Sequence, residues 1–370
     1  MIEYKKLLRE MTAIPSVSGF ERKAAETLIP AVKEYFDEVL IDPVGNLILK
    51  KTCGKEDAPR IMLDAHFDEV GFIVSEITDG GFVKVEPVGG IDPSVLSSTE
   101  VVIYGREPVY GLFCVTPPHL VTKDDEGKLP KVKDMMIETG YEKEKLEKIV
   151  APGDPVGYRA VGDDLSFGVV AGRGFDDKSC GAALICAVAD TPRDDLAGDV
   201  YVTLSSREET GGGGASAAAR SVDPDFAVVT DVNFAKTPGV ETRESGERGK
   251  GPMVSLSAVT CRRLTLGILK MAEKAGIPVQ TVVESSNTGT NANLLLITGD
   301  GVPVAVVSLP LGGMHTFSET LSLDDAELFI KLIKEIIKSR PLAGEWCAAR
   351  SPSVSVFDGL HGGEANTDER

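Results

Sequence analysis

Apolar residues follow two different patterns along this chain. Up to about Ala65, and again from Gly168 onward, short strand-like apolar runs alternate with stretches in which apolar positions recur at helical spacing. This alternation predicts an α/β unit, with a mixed sheet flanked by helices. The predicted strands of this unit are Glu38–Ile41, Asn46–Lys50, Arg60–Ala65, Val200–Ser205, Phe226–Thr230, Ile277–Val283 and Val302–Val307.

The helical stretches begin and end at recognisable signals. Residues 2–12 have apolar positions at helical spacing, and the pattern ends near Pro15. Ser18 and Glu21 have the spacing of a capping box, which predicts a second helix that continues to about Phe36. Further helices are predicted over Lys178–Ala189, Ala215–Arg220, Cys261–Ala275 and Leu323–Ile337, and Asn291–Ile297 continues the alternation.

The stretch from about Val70 to Tyr158 has a different pattern. Short β-like runs are separated by Gly and Pro, and helical periodicity is scarce, which predicts a small antiparallel or barrel-like domain inserted into the α/β unit. We therefore expect a catalytic α/β domain of residues 1–69 and 164–345 with an inserted β-rich domain of residues 70–163. The runs of the inserted domain are Gly71–Ile77, Phe82–Val88, Glu100–Tyr104, Val109–Thr116 and Asp154–Tyr158.

The last residues of the chain, 346–370, have little apolar periodicity and many Gly, Ser and charged residues. Such a composition cannot bury enough apolar surface to offset the entropy of ordering the chain. We therefore expect a flexible tail there, which includes His361. A further histidine, His119, falls in the inserted domain, away from the candidate site considered below.

Composition narrows the class of protein. The formal net charge of −18 over 370 residues disfavours a nucleic-acid surface, because it would repel a phosphate backbone. No stretch approaches the roughly 18 consecutive apolar residues of a membrane span, and residues 1–11 lack a secretory core. The six cysteines show no Cys-x-x-Cys spacing and indicate buried thiols. We therefore expect a cytoplasmic protein that binds neither nucleic acid nor membrane.

Acids and imidazoles stand at or near the ends of several predicted strands. The carboxyl ends of parallel strands meet at one rim of a sheet, so these side chains are expected to converge. Two His, two Asp and one Glu suit a pair of zinc-like cations, which leaves one Glu as a candidate general base and one Asp as a supporting partner. The seven residues are His66, Asp68, Asp176, Glu208, Glu209, Asp231 and His315.

Each of these residues also has an ordinary structural explanation. Asp68 can reach the imidazole of His66 from the same side of a strand and fix its tautomer, but such pairs are common on surfaces. Asp176 can bridge two cations, and it can equally be the N-cap of the following helix. A paired Glu208-Glu209 is costly unless cations relieve the repulsion, although Glu-Glu before a Gly-rich loop is frequent on surfaces.

The order of the motifs is more specific than any one of them. The succession H-x-D, D-D-K, E-E-x-G, D and H resembles the co-catalytic metallopeptidase clan. More narrowly, the chain up to about Leu342 resembles the M42 glutamyl aminopeptidase family, which includes the tetrahedral, self-compartmentalising aminopeptidases. The matching segments are Ser16–Glu21, Ala65–Gly71, Pro117–Leu120, Pro152–Asp154, Phe175–Lys178, Glu208–Gly211 and Thr230–Val232.

This resemblance implies a function and a role for each candidate residue. It implies a cytoplasmic metalloaminopeptidase that removes N-terminal residues from short peptides with two divalent cations, zinc or cobalt, and that assembles as a dodecamer. Glu208 would be the general base for attack by a metal-bridged water, and Asp68 would orient His66. The implied metal ligands are His66 and His315 at the two ends, Asp176 as the bridge, and Glu209 and Asp231.

The chain departs from the family pattern near the implied site. Gly312-Gly313 and Thr316-Phe317 replace the usual residues around the last His, Lys178 replaces a more usual Arg, and Asn291 stands where Asp is common. Substrate preference is therefore open. The alternatives are a deacylase or amidohydrolase on the same scaffold, or a catalytically silent metal-binding assembly protein. A glycosidase is a poorer fit, because it has no need of two His.

Overall fold

The computed structural model describes residues 2–117, 131–160, 162–240 and 245–347. Its helices are α1 (Tyr4–Ala13), α2 (Glu21–Val32), α3 (Lys143–Leu146), α4 (Phe175–Asp190), α5 (Gly213–Val222), α6 (Arg262–Ala275), α7 (Ala292–Leu295), α8 (Leu323–Lys338) and α9 (Arg340–Cys347). His119, His361 and residues 348–370 of the predicted tail lie outside the described residues, whereas Trp346 and Cys347 belong to α9.

One large mixed sheet organises most of the chain. Its central strands β12, β3, β13 and β16 are parallel neighbours, and the outer pairs β1–β2, β2–β12, β16–β17, β17–β11 and β11–β10 are antiparallel. The predicted mixed α/β sheet is thereby confirmed. Its strands are β1 (Glu38–Ile41), β2 (Leu47–Lys51), β3 (Arg60–His66), β10 (Gly162–Asp164), β11 (Val169–Gly172), β12 (Asp199–Ser205), β13 (Phe226–Phe234), β14 (Met253–Leu256), β15 (Gln280–Val283), β16 (Val304–Gly312) and β17 (Glu319–Ser322).

Helices pack on both faces of this sheet. The larger apolar core lies on one face, where α4 contacts β3, β13, α1 and α8. Helix α4 is buried along almost its whole length, from Phe175 to Val188. Its many small residues allow this close packing, since a Cβ added at Gly181 would lie 3.0 Å from the side chain of Leu204. Helices α5 and α7 cover a second core on the opposite face.

A closed antiparallel barrel interrupts the α/β chain after β3. Its strand order is β4-β5-β8-β7-β6-β9, and it encloses an apolar core of its own. The ring of Phe72 packs against those of Phe113 and Tyr158 inside it. The predicted β-rich insertion is confirmed. Its strands are β4 (Gly71–Ile77), β5 (Val83–Val88), β6 (Glu100–Tyr104), β7 (Pro108–Cys114), β8 (Met136–Glu138) and β9 (Pro155–Tyr158).

The predicted capping box at the start of α2 is wrong. Phe20 occupies the N-cap position, and its side chain makes no capping hydrogen bond. The hydroxyl of Ser18 instead bonds that of Thr210 at 2.9 Å, and the Glu21 carboxylate accepts the N–H of Arg207 at 3.0 Å. Both polar side chains thus tie α2 to the loop after β12 and do not cap the helix. The helix itself ends at Val32.

Strands β13 and β16 extend further than predicted. They remain paired from Ala227↔Val304 to Phe234↔Leu311, so Asp231 lies inside a strand and not in the turn that follows it. Among the described residues, no helix is both long enough and apolar enough to cross a membrane. Five cysteines are free thiols: Cys53, Cys180 and Cys186 are buried, and Cys114 and Cys261 are half-buried.

Candidate metal centre

The seven predicted site residues converge at the carboxyl-terminal rim of the central strands. His66 is the last residue of β3, and Asp231 lies near the end of β13. The other five come from segments that follow or precede neighbouring strands: Asp68 after β3, Asp176 at the start of α4, Glu208 and Glu209 after β12, and His315 after β16. A parallel sheet brings these strand ends together although they are far apart in sequence.

Three buried side chains form what we call the inner group, which consists of His66, Asp176 and Asp231. Their ligand-type atoms lie within 4.8 Å of one another. The Nε2 atom of His66 is 2.8 Å from Oδ1 of Asp176 and 3.7 Å from Oδ1 of Asp231. All three residues are less than a tenth exposed. This group can hold one cation away from bulk water.

A second set shares one carboxylate with the first, and we call it the outer group: Asp176, Glu209 and His315. The Nε2 atom of His315 is 3.3 Å from Oδ2 of Asp176 and 3.2 Å from Oε1 of Glu209. Asp176 thus directs one carboxylate oxygen to each imidazole. The His315 side chain is 32% exposed, so this group lies nearer to solvent. Imidazole nitrogens and carboxylate oxygens are a donor set that suits two zinc-like cations.

Main-chain carbonyl groups orient both imidazoles. The Nδ1 atom of His66 is 2.9 Å from the carbonyl oxygen of Asp68, and Nδ1 of His315 is 2.8 Å from that of Gly90 in the barrel. An N–H that donates from Nδ1 to a carbonyl leaves Nε2 free for a metal. The sequence provides no signal for the carbonyl of Gly90, because every residue has one.

The Asp68 carboxylate lies beside the His66 imidazole and also contacts the paired glutamates. It lies 3.6 Å from Nδ1 of His66, beyond hydrogen-bond distance. Its two oxygens accept the N–H groups of Glu208 at 3.0 Å and Glu209 at 3.1 Å. The main chain of Asp68 therefore contacts the imidazole, while its side chain holds the paired glutamates in place.

The electrostatics of the centre favour added positive charge. Burial opposes the charged form of His66, but contacts with Asp176, Asp231 and Asp68 outweigh it and raise its pKa well above the ordinary value. Burial likewise opposes the charged form of His315, and Asp176 and Glu209 raise its pKa to about 11. Burial raises the pKa of Asp231 to about 6. The surrounding carboxylates therefore favour positive charge at this centre, which divalent cations can supply.

Glu208 differs from its neighbour Glu209. Within the described part of the chain, the Glu208 carboxylate makes no hydrogen bond or ion pair, whereas that of Glu209 contacts His315. Burial raises the pKa of Glu208 to about 8, and the charges of Asp231 and Glu209 add to the rise although His66 opposes it. Glu208 is half-buried, its carboxylate oxygens are free of hydrogen bonds to the described residues, and it lies beside the inner and outer groups. Such a carboxylate is suited to accept a proton.

A buried polar cluster, not found from the sequence, lies behind the inner group. Asp64, two residues before His66 on β3, accepts hydrogen bonds from Thr203 at 2.6 Å and from the Asn291 amide at 3.0 Å. An Asp within an apolar strand is the signal that could have revealed it. At position 291 an amide donates to Asp64, where a second carboxylate would bring a like charge into the interior. This contact accounts for the Asn291 departure.

Lys178, the other departure, lies buried at the junction with the barrel. Its Nζ donates to the carbonyl of Ile14 at 2.8 Å and lies 3.3 Å from Oε2 of Glu69. Burial lowers the pKa of Lys178 to about 8, although Glu69 opposes the change. Glu69 also pairs with the buried Arg173. These charges join the two chain segments that lead into and out of the barrel.

Glu319 was also missed by sequence analysis. It is 2% exposed, and its carboxylate accepts the N–H groups of Phe175, Asp176 and His315 at 2.7, 3.2 and 3.0 Å. The signal was weak: a Glu that opens a short strand four residues after a candidate histidine. Its position links two segments that carry candidate ligands.

Known proteins resemble this chain over nearly its whole length. The family model for M42 glutamyl aminopeptidase matches residues 45–332. The chain is similar to lysyl aminopeptidase of Pyrococcus furiosus, with 31% identity over 343 residues that cover 91% of this chain and 97% of the relative.

Solved structures of aminopeptidases share the fold. A TET aminopeptidase from the marine sediment archaeon Thaumarchaeota archaeon SCGC AB-539-E09 superposes with a TM-score of 0.86 at 30% identity, which covers 93% of this chain and 98% of that one. The TET1 peptidase of Pyrococcus horikoshii gives a TM-score of 0.80 at 30% identity, over 90% of this chain and 99% of that one. The strand-end acids and imidazoles, the inserted barrel and these matches agree: the chain belongs to the M42 glutamyl aminopeptidase family and is an aminopeptidase.

Proposed function

We propose that this aminopeptidase uses two divalent cations, zinc or cobalt, to release N-terminal residues from short peptides. The observation that carries the proposal is the Asp176 carboxylate, which directs one oxygen to His66 and the other to His315. A carboxylate shared between two imidazole-containing groups is the arrangement that a pair of closely spaced cations requires. The two groups would then be the two metal sites.

Each candidate ligand would have a definite task. Bound cations would polarise the scissile carbonyl and lower the pKa of a water between them. His66 and Asp231 would hold the inner cation, and Glu209 and His315 the outer one, with Asp176 shared. Support comes from the donor atoms, which lie within 4.8 Å of one another in each group.

We propose Glu208 as the general base. Its carboxylate would accept a proton from the attacking water and return it to the leaving amine. Support comes from its free oxygens and from the Asp68 carboxylate, which holds the Glu208 N–H at 3.0 Å and so fixes the segment. The raised pKa, about 8 in the metal-free chain, would shift toward ordinary values when cations add positive charge.

We propose a homo-oligomer, with residues 70–163 as the inserted unit that contributes to assembly and residues 1–69 with 164–345 as the catalytic unit. The TET1 peptidase of Pyrococcus horikoshii can assemble into a tetrahedron or a large octahedral shell, and a solved structure of PhTET1-12s has a dodecamer in its asymmetric unit. A dodecamer is the expected state here. Size-exclusion chromatography with light scattering would distinguish a dodecamer, at twelve times the 39.3 kDa chain, from smaller forms.

The experiment that tests the reaction is an assay on aminoacyl chromogenic amides, including lysyl and glutamyl amides, each with an N-acetylated counterpart. Cleavage that requires a free α-amine, is abolished by a chelator and returns with Zn²⁺ or Co²⁺ supports the proposal. Preference for the acetylated substrates would favour a deacylase. Two bound cations without any turnover would favour a metal-binding assembly protein.

The variant Glu208→Gln tests the proposed base. It keeps the size of the side chain but cannot accept the proton, so kcat should fall by about 10²–10⁴-fold or more while both cations remain bound. Glu107→Gln makes the same charge change on the exposed surface of the barrel and serves as the matched control. Near-normal turnover in Glu208→Gln with two cations present would exclude Glu208 as the base.

A further inference from the structure

Glu319 connects two candidate ligands without belonging to either ligand group. Its Oε2 atom accepts the N–H groups of Phe175 at 2.7 Å and Asp176 at 3.2 Å, and its Oε1 atom accepts the N–H of His315 at 3.0 Å. Neither the inner nor the outer group includes it. Its hydrogen bonds therefore act on the ligand groups through the backbone of Asp176 and His315.

The backbone at His315 has an unusual conformation. Its φ angle is +61°, in the left-handed region that non-glycine residues seldom adopt. Such a conformation persists only where surrounding contacts hold it. Two contacts do so here: Glu319 accepts the main-chain N–H, and the carbonyl of Gly90 contacts the imidazole at 2.8 Å.

These main-chain donors offset part of the cost of burying Glu319, although burial and the nearby charge of Asp176 still raise its pKa. The residue is 2% exposed, and both of its oxygens accept hydrogen bonds. A buried carboxylate satisfied in this way fixes the positions of its donors. The start of α4 and the turn after β16 are about 140 residues apart in sequence, and this one side chain sets the distance between them at the metal centre.

We propose that Glu319 is a positioning residue that holds His315 and Asp176 at the spacing needed for the outer cation. The inference rests on the two-cation function proposed above. The inner group depends less on Glu319, because His66 and Asp231 are carried by β3 and β13, which are hydrogen-bonded to each other. Loss of Glu319 should therefore weaken the outer site selectively.

Glu319→Gln should disturb the hydrogen bond at His315 more than those at Phe175 and Asp176. A glutamine has one acceptor oxygen, whereas Glu319 uses both of its oxygens. If the amide oxygen keeps the two donors at Phe175 and Asp176, the NH₂ group faces the N–H of His315 and cannot accept it. That orientation preserves two hydrogen bonds and loses one, so the loss falls on the outer group.

The test is a titration of the metal-free full-length protein with Zn²⁺ against a chromophoric chelator, with Co²⁺ in parallel. In the wild type we expect two cations per chain. In Glu319→Gln the weaker binding event should lose about 10–100-fold in affinity, the range measured for groups that orient metal ligands, and the tighter one should change by less than about threefold. Activity at limiting metal should fall and recover at raised metal.

Glu69→Gln is the matched control. Glu69 is 4% exposed and Glu319 is 2% exposed, but the Glu69 carboxylate accepts from Ser16 and Arg173 and not from a candidate ligand. It should lower the Tm without changing the ratio of the two metal affinities. Equal weakening of both cations in Glu319→Gln, or no change in either, would overturn the proposal.

A second variant keeps the test decisive if Glu319→Gln does not fold. Glu319→Asp retains both acceptor oxygens on a shorter side chain, and should weaken the outer cation by less than the glutamine does. Unchanged affinities in Glu319→Asp would also overturn the proposal. A wild-type protein that binds fewer than two cations would instead contradict the proposed function on which the inference rests.

Discussion

The two halves of the candidate metal centre are built differently. In the inner group, His66 and Asp231 lie on adjacent parallel strands and are 2% and 5% exposed. In the outer group, Glu209 and His315 come from segments that follow strands, and the His315 side chain is 32% exposed. Only Asp176 is common to both. The sheet itself thus sets the inner geometry, whereas the outer geometry depends on other contacts.

Those other contacts come from outside the central strands. Gly90, which orients His315, belongs to the barrel segment after β5, and Glu319 belongs to β17. A β-ladder resists deformation because many hydrogen bonds must change together, whereas a turn held by a few contacts can shift at low cost. The outer site should therefore be the weaker and more adjustable of the two.

The largest expected effect separates the two histidines. His66→Ala removes the imidazole between two buried carboxylates, so the metal-free protein should lose about 3–5 kcal/mol of unfolding free energy, and both cations and all activity should be lost. His315→Ala removes a partner that is 32% exposed, so it should cost less unfolding free energy than His66→Ala and should lose only the outer cation. Denaturant unfolding of the metal-free variants, with metal analysis of the reconstituted ones, checks this. Equal losses would contradict the distinction between the groups.

A second prediction concerns protons. The pKa values of both imidazoles are raised in the metal-free chain, that of His315 to about 11, so the protonated form of each imidazole is favoured there. Ligation requires the neutral imidazole, and bound cations would also lower the pKa of Glu208, so binding should release protons from both imidazoles and from Glu208, and affinity should rise with pH. For His315, the folded pKa lies above the unfolded value, so its stabilisation of the metal-free fold is complete below about pH 6.5 and is lost as pH rises through about 11.

Calorimetric metal titration in buffers of different ionisation enthalpy measures this release. The His315→Ala variant should release about one proton fewer than the wild type, because it retains only the inner group. A release that does not depend on His315 would show that the outer imidazole is neutral before metal binds. The pH dependence of metal binding would then not come from the outer group.

The fold could be predicted largely from periodicity. Strand-helix alternation identified the mixed sheet, and its absence between about Val70 and Tyr158 identified the barrel, because the two architectures repeat apolar positions differently. The candidate centre was predictable for a related reason: His66 and Asp231 stand at strand ends that a parallel sheet must bring together.

What could not be predicted depends on tertiary contacts. Ser18 and Glu21 match a helix-capping motif, yet both bond the loop after β12, since that loop offers unpaired donors that a local motif cannot foresee. The role of Glu319 has no local signal, as two of its three donors belong to the start of α4, more than 140 residues away in sequence. The sequence gives no signal for the Gly90 carbonyl, because every residue has a main-chain carbonyl. Glu319 and the Gly90 carbonyl both contact His315, on the outer side of the centre.

The smallest predicted effect tests whether the barrel contributes to the outer site. A Cβ added at Gly90 would lie 3.3 Å from Nδ1 of His315, and the backbone of Gly90 is not left-handed, so Gly90→Ala should fold while its methyl group displaces the imidazole slightly. The outer cation should bind about 10-fold more weakly, with the inner one unchanged. Gly80→Ala, whose methyl would lie 3.3 Å from the Phe82 ring at an exposed turn of the same barrel, is the control. If Gly90→Ala binds both cations as Gly80→Ala does, the barrel does not support His315, and the inner and outer groups differ only in exposure.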